Sequence, residues 1–286
     1  MININGLTFR YVGANADALT DINLRIPDGD FVGIIGPSGA GKTTLTRAIN
    51  GLVPHHYKGD YYGEVLVDGK DTLKHTPDQL AVSVGSVFQD IESQLVSEIV
   101  EDEVLFGLEN FSVSSGEIES QMEWALNAAG IPGLRNREIR SLSGGQKQKV
   151  AIASIIALRP KIIVLDEPTG ELDPLASRRI FETLRELNTQ FGVTVVVVEQ
   201  KIMLLCEFAR RLAVLSSVGL AIEGSVTDVL RHIDVLEATG VNIPRVATLA
   251  GLLRKKSLFF GEPPINVLGA KAMIENCLRG ENTCLD

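Results

Sequence analysis

One run of nine residues limits the possible fold of this chain more than any other feature. Residues 36–44 read Gly36-Pro37-Ser38-Gly39-Ala40-Gly41-Lys42-Thr43-Thr44, which matches the phosphate-binding pattern G-x-x-x-x-G-K-[ST]. Each part of the pattern has a physical task. Glycines such as Gly36, Gly39 and Gly41, with the small Ser38 between them, let backbone N–H groups turn inward around a phosphate. Lys42 reaches the β- and γ-oxygens, and the Thr43 hydroxyl is a Mg²⁺ ligand. Thr44 follows at the start of a helix expected over 43–52, whose positive end points at the anion. The apolar strand Phe31–Ile35 runs straight into this turn, as an α/β sheet requires.

A second constellation supports the first. Ile162-Ile163-Val164-Leu165 is an apolar strand that ends in Asp166-Glu167, and open α/β sheets bind ligands at the C-terminal ends of their strands. Beside a phosphate loop, Asp166 is placed to hold Mg²⁺ and Glu167 to polarise an attacking water. An acidic pair alone would be a weak signal.

The rest of the chain suits this reading. Residues 1–35 alternate apolar and polar, as edge or antiparallel strands do. Glu64–Asp68 and Val82–Phe88 are further strands, separated by a turn at Asp68–Gly69. Residues 98–140 are polar, poor in strand signal and read as helical. A helix is expected over 145–158, an amphipathic helix over 174–190, a buried strand over Thr194–Val198, and a closing hairpin at Leu212–Leu215 and Leu220–Ile222. Continuous β-branched runs suit a parallel sheet covered on both faces. Residues 226–286 lean helical, with a basic spot at Arg254–Lys256.

Composition excludes several classes. Apolar residues make up 45% and charged residues 22% of the 286, the make-up of a folded protein. A net charge of −9 opposes an extended nucleic-acid surface, which needs clustered Lys and Arg. Cys206, Cys277 and Cys284 are three in number and spaced neither for zinc nor for a disulfide framework. No apolar stretch approaches the ~20 residues of a membrane span, and no signal peptide is evident at the N-terminus. The expected location is cytoplasmic, and a membrane, if served, is reached through other chains.

A third motif, Leu142-Ser143-Gly144-Gly145-Gln146, opens a helix. With the other two, in this order, it makes the chain resemble the nucleotide-binding subunits of ATP-binding cassette (ABC) transporters. The resemblance covers residues 1–225 and implies an α/β fold: a phosphate-loop core with an antiparallel β subdomain and a helical subdomain over about 98–145. A C-terminal helical tail follows over 226–286. It also implies ATP and Mg²⁺ as ligands, ATP hydrolysis, and a second ABC ATPase subunit as partner. In the family, Ser143 and Gly145 would complete the ATP site of that second subunit. Tyr11 sits where an aromatic stacks on adenine, although a strand aromatic packed in the sheet would look the same. Gln89, in VFQD, falls at the loop that senses Mg²⁺ and water and touches the membrane partner. Asp173, in GELD, matches an aspartate that crosses the dimer interface, a role compatible with capping the helix after Pro174.

Two positions depart from the family. A switch histidine is expected directly after the strand Thr194–Val198, and Gln200 stands there. An amide can donate to a γ-phosphate but cannot carry imidazolium charge. Gly170-Glu171 also precede Leu172-Asp173 where small residues are usual. Both put hydrolysis at this half-site in doubt, though not ATP binding, and favour a heterodimer over a homodimer.

A narrower resemblance joins residues 88–110, FQDIESQLVSEIVEDEVLFGLEN, and 240–253, GVNIPRVATLAGLL, to energy-coupling-factor importers of vitamins and metal ions. It implies a transmembrane coupling subunit docked on the first segment and a separate substrate-binding membrane subunit. The alternatives are a slow or regulatory half of a heterodimer and a non-transport ABC protein. The single phosphate loop, the short spacing from Gln89 to Leu142 and the acidic charge oppose the last.

Overall fold

The computed structural model describes residues 1–279; Cys284 and the end of the expected tail lie outside them. The chain builds two sheets. The first is antiparallel and made of β1 (Ile2–Tyr11), β2 (Leu19–Ile26), β4 (Gly59–Val67) and β5 (Lys70–Asp71), in the order β2-β1-β4-β5. The second holds β3 (Phe31–Ile35), β6 (Val84–Val87), β7 (Ile162–Asp166), β8 (Thr194–Val198), β9 (Arg211–Ser216) and β10 (Gly219–Ser225), in the order β10-β9-β3-β8-β7-β6. All its pairings are parallel except β10 on β9.

The central strands are apolar except at Asp166 and Thr194 on their ends, because both of their faces are buried. On β8, Val196 and Val198 face the core between the sheets, together with Val32, Ile34, Leu45 and Ile49. Val195 and Val197 face the opposite core with Phe31, Ile163, Leu165, Phe181 and Leu184. The helix Lys42–Ile49 contributes Leu45, Ala48 and Ile49 to the first of these cores. The amphipathic helix Pro174–Phe191 covers the other face and ends at Gly192, in the left-handed conformation at φ 68°.

Helices Val100–Asn110 and Ser115–Ala128 pack against the helix Gly144–Ile156. This is the helical subdomain. Val226, Val229, Leu230, Ile233, Leu236 and Ala247 belong to the same hydrophobic core as β7 and β8, so the core runs on beyond residue 225. Helices Arg245–Lys255 and Val267–Arg279 complete the described chain.

Three local features differ from expectation. β4 begins at Gly59, not Glu64, because Tyr61 and Tyr62 pair opposite Phe9 and Thr8 of β1. A short helix, Pro77–Ala81, precedes β6 where a strand was expected from Val82. It starts with a reciprocal cap in which Thr76 N–H donates to Gln79 Oε1 at 3.1 Å, and T-P-D-Q is a readable capping-box pattern. The two-residue β5 on β4 was too short to announce itself. Among the described residues no helix is long and apolar enough to cross a membrane.

Candidate functional site

Four neighbouring strand ends carry the motifs. In the order β3-β8-β7-β6, they lead into the phosphate loop, Glu199-Gln200-Lys201, Asp166-Glu167 and Gln89 respectively. Because these strands are parallel, all four segments emerge at one edge of the sheet.

The loop is shaped by glycines in backbone regions closed to most residues. Gly39 and Gly41 have φ of 81° and 86°, and a Cβ at Gly41 would lie 2.2 Å from the Ala18 carbonyl oxygen. No side chain caps the helix that starts after Gly41, so its first N–H groups are available to an anion. Ser38 and Gly39 form the exposed crest, and Thr43 is half-buried. Lys42 is 7% exposed, and its ammonium donates to the Gly36 and Pro37 carbonyls, both at 2.8 Å. Burial holds its pKa below the ordinary lysine value, with the negative Glu167 and Asp166 opposing the shift. Thr44 is buried, and its hydroxyl shares a 3.0 Å hydrogen bond with the Tyr11 hydroxyl. Arg47 Nη1 also donates to the Tyr11 hydroxyl at 3.3 Å. The Tyr11 ring stands edge-to-face with Phe9 and Tyr57. Tyr11 is thus pinned to the loop helix by its oxygen while its ring packs in an aromatic cluster beside the loop.

Asp166 is 3% exposed. Burial pushes its carboxyl above the usual range, and the Thr43 hydroxyl works against that shift. Its Oδ1 has no hydrogen-bond partner among the described residues, although buried polar atoms are nearly always paired. An orphaned carboxylate oxygen beside a hydroxyl is a hard-oxygen donor set that fits Mg²⁺, an ion usually held by one or two protein oxygens plus phosphates and waters. Among the described residues there is no group of three or more His, Cys, Asp or Glu placed to hold a metal.

Glu167 has a φ of 50°, a left-handed backbone that costs a side-chain-bearing residue about 1–2 kcal/mol. Its N–H bonds the Val198 carbonyl at 2.8 Å. Two amides grip its carboxylate: Gln200 Nε2 donates to Oε1 at 2.7 Å and Gln89 Nε2 to Oε2 at 3.4 Å. The three residues singled out for catalysis therefore meet. The Gln200 amide has a second N–H, which leaves one donor for a phosphate.

Glu199 was missed in the sequence. It is 2% exposed, accepts the Thr169 hydroxyl at 2.5 Å, and accepts the backbone N–H groups of Gln200 and Lys201 at 2.9 and 3.3 Å. A polar triplet straight after an apolar strand was the available signal.

The Leu142–Gln146 turn lies beside the turn that follows Glu167: Gly144 lines a concavity of about 430 Å³ with Gln89, Glu167 and Leu172. Ser143 caps its helix reciprocally: its N–H donates to Gln146 Oε1 at 2.9 Å, and its Oγ accepts from Gln146 N at 3.4 Å. A concavity of about 360 Å³ beside Ser143 and Gly145 is lined by Lys149 and Arg179 but by no residue of the phosphate loop. Neither concavity at this turn includes a residue of the phosphate loop. Asp173 Oδ1 caps the helix Pro174–Phe191, accepting from Leu175 N and Ala176 N, both at 2.9 Å. A larger concavity of about 500 Å³, between Trp124, Arg159 and Phe191, opens at the N-terminal ends of β7 and β8, away from this chemistry.

The chain is similar to known proteins over most of its length. Residues 19–170 match the ABC transporter family model. A Pyrococcus abyssi protein described as an ABC transporter ATP-binding protein is 38% identical over 90% of this chain and 92% of its own length. The structure of CbiO1 from Clostridium perfringens, described as part of the ABC transporter complex cbiONQ, aligns with a TM-score of 0.74 and 30% identity over 87% of this chain and 97% of that one. The ATP-binding cassette MJ0796, solved as a dimer in a post-hydrolysis state bound to ADP and Pi, aligns with a TM-score of 0.67 and 32% identity over 79% of this chain and 99% of that one. With the phosphate loop, the acidic pair and the Leu142–Gln146 turn on one α/β frame, the chain belongs to the ABC transporter family and is an ATP-binding ATPase subunit of it.

Proposed function

We propose that this subunit energises a membrane importer of energy-coupling-factor type, as half of an ATPase dimer at the cytoplasmic face of the membrane. The observation that carries the importer reading is the likeness to CbiO1, described as part of the complex cbiONQ, over 87% of this chain. The dimer reading is supported by the separation of Ser143 from the phosphate loop and by the dimeric form of MJ0796. In that dimer, Ser143 and Gly145 would face the partner's nucleotide. Tyr11 would flank the adenine, while Gly36, Ser38, Gly39, Gly41, Lys42, Thr43 and Thr44 would hold the phosphates. Thr43, Asp166 and Gln89 would hold Mg²⁺, which when bound neutralises charge on the β- and γ-oxygens. Glu167 would orient the attacking water, with Gln89 and Gln200 fixing its carboxylate.

A docking face for the transmembrane coupling subunit is supported around the helix Val100–Asn110. Phe106 is 52% and Val96 64% exposed, and Asp102 is exposed one turn before Phe106. Glu101 is not available to a partner in the same way, because Arg135 ties it to Glu119 of the next helix at 2.6 and 2.5 Å. The test is Asp102→Lys with Phe106→Glu. Co-purification of the chain with its membrane subunit should fall sharply while ATP binding stays. Undiminished co-purification would move the docking face elsewhere.

A second reading, a slow ATP-binding half of a heterodimer, rests on Gln200. Its neutral amide gives one N–H to Glu167 at 2.7 Å and keeps one for a phosphate, but it cannot supply positive charge to a transition state.

A further inference from the structure

We propose that Lys201 is a positioning residue for hydrolysis, holding the turn that follows Glu167 in its working shape. The inference rests on the reading of Glu167 as the water-orienting carboxylate. Lys201 Nζ donates to the Thr169 carbonyl at 2.5 Å, the Leu172 carbonyl at 2.9 Å and the Ser177 hydroxyl at 3.0 Å. An ammonium has three donors, and all three are used on one short stretch of chain. The acceptors are two carbonyls and a hydroxyl, none of them charged, and Thr169 and Ser177 are fully buried. A cation held this way organises backbone; it does not neutralise an acid.

The two preceding residues act on the same stretch. Glu199 accepts the Thr169 hydroxyl and Gln200 donates to the Glu167 carboxylate. Three consecutive side chains at the end of β8 thus hold residues 167–177. That stretch needs holding. It starts with Glu167 at positive φ and contains Gly170, and before the next helix begins it closes on two backbone bonds, Gly170 N to Glu167 O at 3.2 Å and Leu172 N to Thr169 O at 3.1 Å. At its far end Asp173 caps the next helix. Lys201 therefore couples the segment that carries Gln200 to the turn that orients Glu167 and presents Asp173. A compact ammonium suits three diverging acceptors better than the flat fork of an arginine.

The experiment compares Lys201→Met, Lys201→Arg and Ser177→Ala with the parent and uses Glu167→Gln as the reference for the site, with Gln200→His present throughout so that turnover at this site is readable. Hydrogen exchange at the Gly170 and Leu172 amides is read on the full chain, and ATP turnover on the assembled transporter. Lys201→Met should speed exchange at both amides. It should lower kcat by about 10–100-fold, the scale of a ~1 Å misplacement, with KM for ATP nearly unchanged. Lys201→Arg should restore part of the loss, and Ser177→Ala, which removes one acceptor and keeps the lysine, should show a smaller fall of the same kind. If Lys201→Met does not fold, those two milder variants decide. A fall in melting temperature with parent-like kcat, or a rise in KM at constant kcat, would overturn the role of Lys201 while Glu167→Gln still stalls. Parent-like turnover in Glu167→Gln would overturn the site reading together with it.

Discussion

The phosphate loop and the Leu142–Gln146 turn are both Gly-rich entries to a helix, yet they sit in the molecule differently. The first is built into the core. Its lysine is 7% exposed and already satisfied by its own carbonyls, and the buried Asp166 and the Glu167 carboxylate lie beside it. The second is exposed at Ser143 and Gly144 and caps only itself. The first has its own lysine and acidic pair together, whereas the second, although Gly144 shares a concavity with Gln89 and Glu167, has no residue of the phosphate loop beside it. That asymmetry is what a shared site between two subunits requires, and it can be broken experimentally.

The largest expected effect is at the carboxylate. Glu167→Gln should bind ATP but lower turnover by about 10²–10⁴-fold, the usual contribution of a group that positions or deprotonates water. Steady-state turnover of the assembled complex, measured with Gln200 changed to His so that the site is not already slow, checks this; no fall would remove Glu167 from the chemistry.

Next in size is Gln200 itself. Gln200→His should raise turnover at the site formed by this phosphate loop and the partner's signature by about 10²–10³-fold, the worth of one electrostatic contact to developing charge. Nucleotide affinity should change little, because it rests on Lys42, Thr43 and backbone N–H groups. The partner's phosphate loop, facing Ser143, should be the faster site in the parent. Equal turnover in parent and variant would make Gln200 a working substitute.

The smallest effect separates the two Gly-rich elements directly. Lys42→Ala loses a charge-assisted contact of about 1.5–3 kcal/mol, so MgATP binding to the isolated chain should weaken by about 10–150-fold. Ser143→Ala should leave that binding untouched and reduce only the turnover of the dimer. Calorimetric titration of both variants decides the matter. Equal losses in the isolated chain would mean that Ser143 reaches this chain's own nucleotide.

What the sequence determined by itself was whatever depends on a few adjacent residues. The phosphate loop was legible because Gly39 and Gly41 must sit at positive φ and Lys42 must follow them. The apolar runs Ile162–Leu165 of β7 and Val195–Val198 of β8 were legible because burial on both faces leaves no polar alternation. The T-P-D-Q cap of the helix Pro77–Ala81 was equally local, though it was passed over. Tertiary structure alone decided the rest. Gln89 and Gln200 lie 78 and 33 positions from Glu167, yet both reach it, because the strands order as β3-β8-β7-β6. Arg135 ties Glu101 to Glu119 of the next helix, and β4 gained Tyr61 and Tyr62 only because β1 lay opposite. Lys201 carried no motif, since its three acceptors come from a distant turn. Backbone conformation and burial leave a mark on neighbouring residue types, but which strand end lies beside which is settled by packing a whole sheet, and no short stretch of sequence contains that information.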